Sequence, residues 1–317
     1  MRSYIFRRIL LIIPTLFLVS LIVFVSIRLL PGSTSDFIAS DYEYQSHADI
    51  QNISNELGLN RPIFEQYGIW MGQILIHGNL GDSMIDETPV VDYVNVSWPV
   101  TVELGLLALI ISLLIAIPIG IYSAIRADST GDFIARSFAI IALSVPTFVL
   151  GTLVIVLPSI WWHYMPPITF IPITKDLAGN LQLFIVPAVV LGISMAGLTM
   201  RMTRTMILDV MRQDYIRTAW AKGLTERVVV MRHILKNALL PIITIIGSQI
   251  PVLIGGSVII ENIFQLPGMG QLFLKSISDR DYTLISSILL LYSVAVVIIN
   301  LATDLTYGML NPRVHYN

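Results

Sequence analysis

Five polar side chains interrupt the apolar stretches of this sequence, and they are the first candidates for chemistry. Glu103, Gln249, Glu261 and Asn262 lie in or beside apolar runs, and Asp304 lies near the end of another. Polar groups at membrane depth are costly and usually face a bundle interior or a wet cavity, so we interpret the first four as candidate pathway or gate residues. The alternative for Glu103, Glu261 and Asp304 is a position at the membrane interface, in water.

The residue types that build catalytic and metal sites are sparse. The sequence has no cysteine, which excludes disulfides and thiolate metal sites. Its five histidines are scattered without an i, i+4 pair, so no metal site can be derived from them. The spacing of histidines and carboxylates suggests no catalytic constellation, and we predict neither a catalytic residue nor a metal in this chain.

The elements that position the polar residues follow from composition. Hydrophobic residues make up 55% of the chain and charged residues 13%, with a mean hydropathy of +0.77. Average soluble proteins have about 25% charged residues, so a soluble enzyme is excluded. Six apolar runs can each cross about 30 Å of hydrocarbon, which predicts an all-α, polytopic membrane protein with six transmembrane helices. The runs are 9–30, 100–125, 133–162, 181–200, 238–260 and 283–305.

The distribution of basic residues predicts the orientation. Segment 201–237 carries eight basic and three acidic residues, whereas segment 31–98 carries one basic and ten acidic residues. The positive-inside rule therefore places both termini in the cytoplasm and segment 31–98 outside. The first run follows Arg2, Arg7 and Arg8, but it exceeds a signal-peptide core and lacks a small-residue cleavage site. We interpret it as a retained anchor.

Segment 31–98 is too long for a simple connector. Within it, RPIFEQYGIWMGQIL has an apolar helical face. The residues of that face are Ile63, Phe64, Tyr67, Trp70, Met71 and Ile74. We expect a small folded cap on the outer surface, and the alternative is an interfacial helix on the lipid headgroups.

Glycine and proline residues within the runs predict where helices approach each other or bend. Gly255 and Gly256 would allow close helix approach or local unwinding in the fifth run. Pro146, like four other prolines in the runs, removes a backbone donor and can kink its span. Such kinks suit a bundle that opens and closes, although they are also common in static membrane proteins.

The segment between the fourth and fifth runs has the most informative pattern. The stretch DYIRTAWAKGL predicts a short helix over Asp214–Lys222 that Gly223 ends, and Thr225 can cap the next helix. Small alanines beside Tyr215 and Trp220 suit docking into a partner's groove. We expect that neither lipid nor an internal core satisfies this helix. The alternative is a basic loop that merely obeys the positive-inside rule.

The stretches DYIRTAWAKGL and RHILKNALLP resemble the cytoplasmic coupling loop, or EAA loop, of binding-protein-dependent ABC importer permeases of the dipeptide, oligopeptide and nickel class. The resemblance extends nearly end to end, from FRRILLIIPTLFLVSLIVFVSIRLLPGS to IIENIFQLPGMGQLF and NPRV. Of the strict motif E-A-A-x3-G-x9-I-x-L-P, the chain keeps Ala219, Gly223 and Leu235. It departs from the strict motif at Arg217, Thr218, His233 and Lys236. These departures resemble the residues that the peptide-class permeases carry.

The resemblance implies a type I ABC importer permease fold and a permease subunit that forms half of a pathway for peptides or similar small solutes. The implied partners are a homologous second permease subunit, two ATPase subunits, an extracytoplasmic solute-binding protein and the lipid bilayer, with no nucleic acid. We expect ATP and Mg on the ATPase subunits and no cofactor in this chain, which has no G-x4-G-K-[ST] phosphate loop.

The predicted organisation has three parts, which are an N-terminal segment with the first transmembrane helix (1–30), an extracytoplasmic loop region (31–98) and a core permease domain (99–317). The core contains the coupling loop at about 201–237. The resemblance assigns ATPase coupling to Asp214, Tyr215, Arg217, Thr218, Ala219, Lys222, Gly223 and Leu224. The alternative function is a secondary transporter of small solutes, for which we find no mid-bilayer relay residues and no inverted repeat.

Overall fold

The computed structural model describes residues 2–29, 55, 58–163, 167 and 169–310, and these residues are mostly helical. The helices are α1 (Arg2–Arg28), α2 (Ile63–His77), α3 (Val90–Ile125), α4 (Thr130–Ser144), α5 (Thr147–Trp162), α6 (Leu177–Met211), α7 (Asp214–Ala221), α8 (Glu226–Val228), α9 (Leu235–Ile263), α10 (Met269–Ser278) and α11 (Tyr282–Leu310). A π-helical turn, Val229–Ile234, joins α8 to α9. The described residues also contain one isolated antiparallel bridge, between Asp82 and Pro89.

Five helical stretches of the described chain are long and apolar enough to cross a membrane. They are Arg8–Arg28, Val90–Ile125, Leu177–Met211, Pro241–Ile263 and Tyr282–Thr306. Each contains most of one predicted apolar run, because a continuous apolar stretch of this length satisfies its backbone hydrogen bonds only as a helix in lipid. The all-helical, polytopic membrane fold predicted from the sequence is confirmed.

The third predicted run is not one continuous helix. It forms α4 and α5, which are bent by 95° relative to each other. Pro146 has no N–H to donate, and its ring disfavours the helical conformation of the preceding residue. Val145 accordingly adopts an extended conformation with φ −85° and ψ 120°. The predicted single run 133–162 is corrected to a broken span, and counting this pair as one span gives the predicted six.

The described residues within 2–101, together with 267–297, form one compact unit. Its core joins α1, α2 and the first half of α11. The ring of Phe24 stacks on the indole of Trp70 with centroids 5.5 Å apart, and Leu290 packs in the same cluster. Phe24 and Leu290 lie in stretches that can cross the membrane, so close van der Waals packing and ring stacking stabilise this cluster.

The predicted apolar face of α2 packs only in part. Tyr67 and Trp70 contact the core, and the Tyr67 hydroxyl lies 2.9 Å from the Ser20 hydroxyl. Ile63 and Phe64 are exposed, so the packed side begins one turn later than the sequence pattern indicated. Residues 31–54 of the predicted cap lie outside the described residues.

A buried carboxylate fixes the loop before α3 to the start of α11. Asp281 accepts hydrogen bonds from the Ser83 hydroxyl at 2.6 Å and from the backbone N–H groups of Met84 and Leu284 at 3.2 and 3.0 Å. Burial raises the pKa of Asp281, and these three hydrogen bonds oppose that rise. The unit is therefore held together by polar contacts as well as apolar packing.

Residues 102–266 and the end of α11 form the second unit, in which α6 is the central helix. Small residues allow neighbouring helices to approach α6 closely. A Cβ atom on Gly192 would lie 2.9 Å from the carbonyl oxygen of Ala108, and one on Gly197 would lie 2.9 Å from that of Ala139. Any larger side chain at either glycine would collide with the backbone of a neighbouring helix.

Between the described helices of this chain, the predicted close approach at Gly255 and Gly256 is not found. Among the described residues, a Cβ on Gly255 would meet nothing within 4 Å, and one on Gly256 would just touch the Leu191 side chain at 4.0 Å. Both glycines lie inside the continuous helix α9, so they do not unwind it either. The predicted three-part division of the chain at residues 30 and 98 stays a prediction.

Candidate functional site

The segment that follows α6 forms a helical hairpin. Helix α7 begins at Asp214, whose negative charge in the first turn is favourable near the helix N-terminus. It ends at Ala221, and the next turn closes with hydrogen bonds from the N–H of Lys222 to the Thr218 carbonyl and from the N–H of Gly223 to the Trp220 carbonyl.

Gly223 has a φ of +76°, a conformation that glycine adopts at little cost and β-branched residues strongly disfavour. The helix and its glycine turn therefore lie where the sequence predicted them, with the helix one residue shorter at its end.

One side of α7 is buried in the core of its own chain. Ile216 is 1% exposed and Ala219 is 6% exposed. They pack in one cluster with side chains from α3, α6, the π-helical turn and α9, including Ile207, Val229 and Ile234. The expectation that no internal core satisfies this helix is wrong, because a residue pattern eight residues long does not reveal which neighbouring elements will cover it.

The other side of α7 is exposed. Tyr215 and Trp220 are 44% and 43% exposed although both are large and partly apolar. Asp214 and Arg217 lie 3.6 Å apart as an exposed ion pair, which contributes little to stability. Thr218 and Lys222 are also exposed, and Leu224 is partly buried against the apolar cluster. The exposed side offers aromatic surface, charge and hydrogen-bonding groups to solvent.

Polar contacts fasten the hairpin to the rest of the unit. The amide of Asn237 in α9 donates a hydrogen bond to the Tyr215 hydroxyl at 3.1 Å. Arg126, beyond the end of α3, lies 3.7 Å from Glu226. Thr225 occupies the position before α8, but its hydroxyl makes no capping hydrogen bond, so the predicted side-chain cap is wrong. The turn before α8 is therefore formed by backbone conformation and apolar packing, without a side-chain cap.

The π-helical turn connects the hairpin to the membrane. Val229, Val230 and Ile234 are buried in the same cluster as Ile216 and Ala219. Single π turns within α-helices occur frequently at functional sites. Because α7 and the base of α9 share one apolar core, a force applied to α7 acts directly on a helix that crosses the membrane.

The predicted pathway residues lie in separate environments. Gln249 in α9 is buried and donates a hydrogen bond from Nε2 to the Thr199 hydroxyl of α6 at 2.7 Å. Glu103 in α3 is partly buried near Asn180 of α6, and its Oε1 has no hydrogen-bond partner among the described residues. The structure thus places Gln249 and Glu103 in two different environments rather than in one cluster. Their predicted roles stay predictions.

Glu261 and Asn262 differ in burial. Glu261 is fully buried, which excludes the alternative of a carboxylate in interfacial water, and Asn262 is exposed. The backbone carbonyl of Glu261 also accepts a hydrogen bond from the N–H of Leu266 at 2.8 Å, which ends α9 in a tight turn. Asp304 in α11 is partly buried. No gate role for these residues follows from the contacts alone.

The sequence reasoning missed a buried ion pair. Asp132 of α4 is fully buried and accepts hydrogen bonds from Nε and Nη2 of Arg204 in α6, both at 2.8 Å. The Ser123 hydroxyl and the Asp128 N–H donate to the same carboxylate. Bidentate pairing of this kind is strong and directional, and removing one partner leaves an uncompensated buried charge. The only sequence signal was the spacing of Ser129 and Asp132 at the start of α4, which is typical of a helix cap.

Comparison with known proteins shows that a chain with this hairpin and this helical scaffold is a subunit of a membrane transport system. The family described as "Binding-protein-dependent transport system inner membrane component" matches residues 116–316. The family describing the N-terminal part of such components matches residues 1–105. The chain belongs to the family of binding-protein-dependent transport system inner membrane components.

Relatives match over their whole length. A putative peptide transport system permease protein of Brucella suis is 37% identical over 317 residues, covering 100% of both chains. A glutathione transport system permease protein of Escherichia coli K12 is 34% identical, again over 100% of both chains. The resemblance to ABC importer permeases is confirmed, and the chain is a multi-pass inner-membrane permease subunit of an ABC importer.

Solved structures share the fold. An inward-facing conformation of the MetNI methionine ABC transporter aligns with a TM-score of 0.56 and 17% identity, covering 69% of this chain and 96% of that one. An amino acid ABC transporter aligns with a TM-score of 0.51 and 15% identity, covering 70% and 94%. The type I ABC importer permease fold is confirmed.

Proposed function

We propose that this permease subunit imports peptides or similar small solutes and receives ATP-derived work through the exposed side of α7. The single observation that carries the coupling proposal is the geometry of α7, one side of which is locked into the core beneath α9 while the other presents Tyr215 and Trp220 to solvent. Aromatic side chains of this kind are enriched at the energetic centres of protein interfaces. The occupant of the exposed side is the ATPase subunit.

The cargo proposal follows from the relatives. A peptide permease and a glutathione permease are each more than 30% identical to this chain over its full length, and glutathione is itself a small peptide derivative. We therefore infer a peptide-like cargo delivered by an extracytoplasmic solute-binding protein. Measuring which solutes the cognate binding protein binds tests this point, and selective binding of a sugar or a metal ion instead would overturn it.

The proposed assembly contains this chain, a homologous second permease subunit, two ATPase subunits and the binding protein. ATP and Mg bind to the ATPase subunits, and this chain contributes no catalytic residue and binds no metal. The chain lacks a phosphate-binding loop, which supports this division of labour. Coupling requires that docking of the loaded binding protein on one side and ATP binding on the other favour the same conformation.

ATPase measurements test the assembly in three steps. The purified chain alone should hydrolyse no ATP, the four-subunit assembly should show basal hydrolysis, and addition of the loaded binding protein should raise it. Hydrolysis by the lone chain, or solute transport that persists without an ATPase partner, would instead favour a secondary transporter.

The proposed orientation has both termini and the α7 hairpin in the cytoplasm. Eight basic and three acidic residues in segment 201–237 support it through the positive-inside rule. In this cysteine-free chain, a single cysteine at Thr225 should resist an impermeant thiol reagent applied to intact cells. One at exposed His77 of α2 should react, as should one at Ser54, which lies outside the described residues. The reverse labelling pattern would overturn the orientation.

A further inference from the structure

A narrow cavity lies between α4 and α6 near the hairpin end of the second unit. Its volume is about 140 Å³, enough for a phosphate-sized group. Its apolar wall includes Ile140, Leu143 and Met200. Its rim is formed by Arg136, Arg201 and Arg204. The cavity is separate from the exposed side of α7 and from the proposed pathway residues.

The arginines at this rim carry more charge than their neighbours neutralise. Arg204 is committed to Asp132, and Arg136 lies 3.6 Å from the same carboxylate with 45% of its side chain exposed. Arg201 is exposed, and its side chain has no ion pair or hydrogen bond within the described part of the chain. Exposed Asp128 also faces Arg204, so three positive charges meet two negative ones. The cavity attracts an anion.

Apolar surface continues away from the arginines along α4. Ile140 and Leu143 are 62% and 42% exposed, on a helix that belongs to the broken span. A ligand that follows this surface must therefore have a long apolar part as well as an anionic head. A phospholipid has both, and basic pockets between membrane helices bind anionic headgroups.

We propose that the cavity between α4 and α6 binds an anionic phospholipid of the inner membrane, with its phosphate at Arg136 and Arg201 and one acyl chain along Ile140 and Leu143. Arg204 contributes charge but stays bonded to Asp132. Guanidinium groups suit this role because they form paired, charge-assisted hydrogen bonds with phosphate oxygens. The proposal does not depend on the cargo or on the ATPase partner.

A fluorescence experiment tests the site in the full chain. Ser144→Cys provides a unique label position because the sequence has no cysteine, and exposed Ser144 lies beside the cavity without lining it. The labelled protein is reconstituted into phosphatidylcholine vesicles that contain brominated phosphatidylglycerol or brominated phosphatidylcholine as the quenching lipid. We expect phosphatidylglycerol to be preferred, with each of Arg136 and Arg201 contributing about fivefold to the relative binding constant.

Charge variants separate the site from general surface attraction. Arg136→Gln combined with Arg201→Gln should bring the two lipids to within about twofold of each other. Arg212→Gln removes the same charge at the end of α6, outside the cavity, and should leave the preference unchanged. Equal quenching by both lipids in the parent protein, or the same loss in Arg212→Gln, would overturn the proposal.

A competition experiment distinguishes a lipid from a soluble phosphate. Excess glycerol 3-phosphate should leave quenching by brominated phosphatidylglycerol unchanged, because the apolar wall contributes to binding only when an acyl chain is present. Displacement of the lipid by glycerol 3-phosphate would show a phosphate site instead of a lipid site. Absence of quenching by either lipid would overturn the proposal, because no lipid would then reach the cavity.

Discussion

The two sides of α7 differ in their contacts with the rest of the chain. Ile216 and Ala219 are enclosed by their own chain, whereas Tyr215 and Trp220 expose large rings to solvent on a helix of eight residues. A helix this short is marginal in isolation, so its persistence depends on the buried side. Stability and the proposed partner contact therefore fall on different residues of one helix, and substitutions can separate the two.

The largest expected effect comes from the buried side. Ile216→Ala should lower the free energy of unfolding by about 2–5 kcal/mol, because it removes fully buried methyl groups and leaves a cavity. Denaturant unfolding of the purified chain measures this change. Val228→Ala truncates an exposed side chain of the same hairpin and should change stability by less than about 0.5 kcal/mol. Equal effects of the two substitutions would remove the distinction between the sides.

The glycine turn comes next. Gly223→Val should cost about 1–2 kcal/mol, since a β-branched residue is strained at φ +76°. The added Cβ would meet nothing within 4 Å among the described residues, so the cost at this atom comes from the backbone conformation and not from a clash. We expect membrane insertion to persist while ATP-driven uptake is lost, because the helix no longer presents its exposed side correctly.

Asparagine supplies the control at the same position. Gly223→Asn should retain most uptake, because asparagine tolerates the left-handed conformation far better than valine does. Uptake assays and membrane fractionation of both variants measure the two consequences. Normal uptake by a correctly inserted Gly223→Val protein would contradict the proposed role of this turn.

A third variant tests the exposed side. Trp220→Ala should lower the free energy of unfolding less than Ile216→Ala does, because its ring is partly exposed, yet reduce stimulated ATP hydrolysis by the assembly about tenfold or more. Trp162→Ala removes an equally large exposed ring at the end of α5 and should leave hydrolysis unchanged. If Trp220→Ala unfolds the chain as readily as Ile216→Ala does, the exposed ring has a structural role instead.

The smallest expected effect is at Thr225. Its hydroxyl makes no capping hydrogen bond, so Thr225→Ala should cost less than about 0.5 kcal/mol. Ser129 does cap α4, with its hydroxyl accepting from the Asp132 N–H at 3.2 Å, and Ser129→Ala should cost about 1 kcal/mol. Unfolding measurements on both variants would show whether the base of the hairpin depends on packing, as inferred, or on its cap.

Local sequence predicted the hairpin and most of the spans. The bounds of α7 and the turn at Gly223 follow from interactions within a few residues, and the apolar runs dictate helices wherever lipid forbids unpaired backbone groups. The bend at Pro146 exceeded the expected kink, because a proline's local preference does not determine how far the next helix turns away.

Contacts between distant residues could not be predicted. Asp132 and Arg204 are separated by 72 residues, and only the packing of α4 on α6 brings them together. The close helix approaches at Gly192 and Gly197 likewise depend on which helix lies opposite, and glycine content alone pointed to Gly255 and Gly256 instead. The buried side of α7 has the same origin, since its cover comes from four other elements.

The π-helical turn Val229–Ile234 has a consequence for how insertions and deletions would act on this chain. A π turn holds one residue more than the α-helical turn it replaces. Deleting a single residue there would allow a regular α-helix and rotate everything before it by about 100° around the axis of α9. Tyr215 and Trp220 would then point in a new direction with their own sequence intact. The angular setting of α7 thus depends on the number of residues in this turn as well as on the packing of its buried side chains.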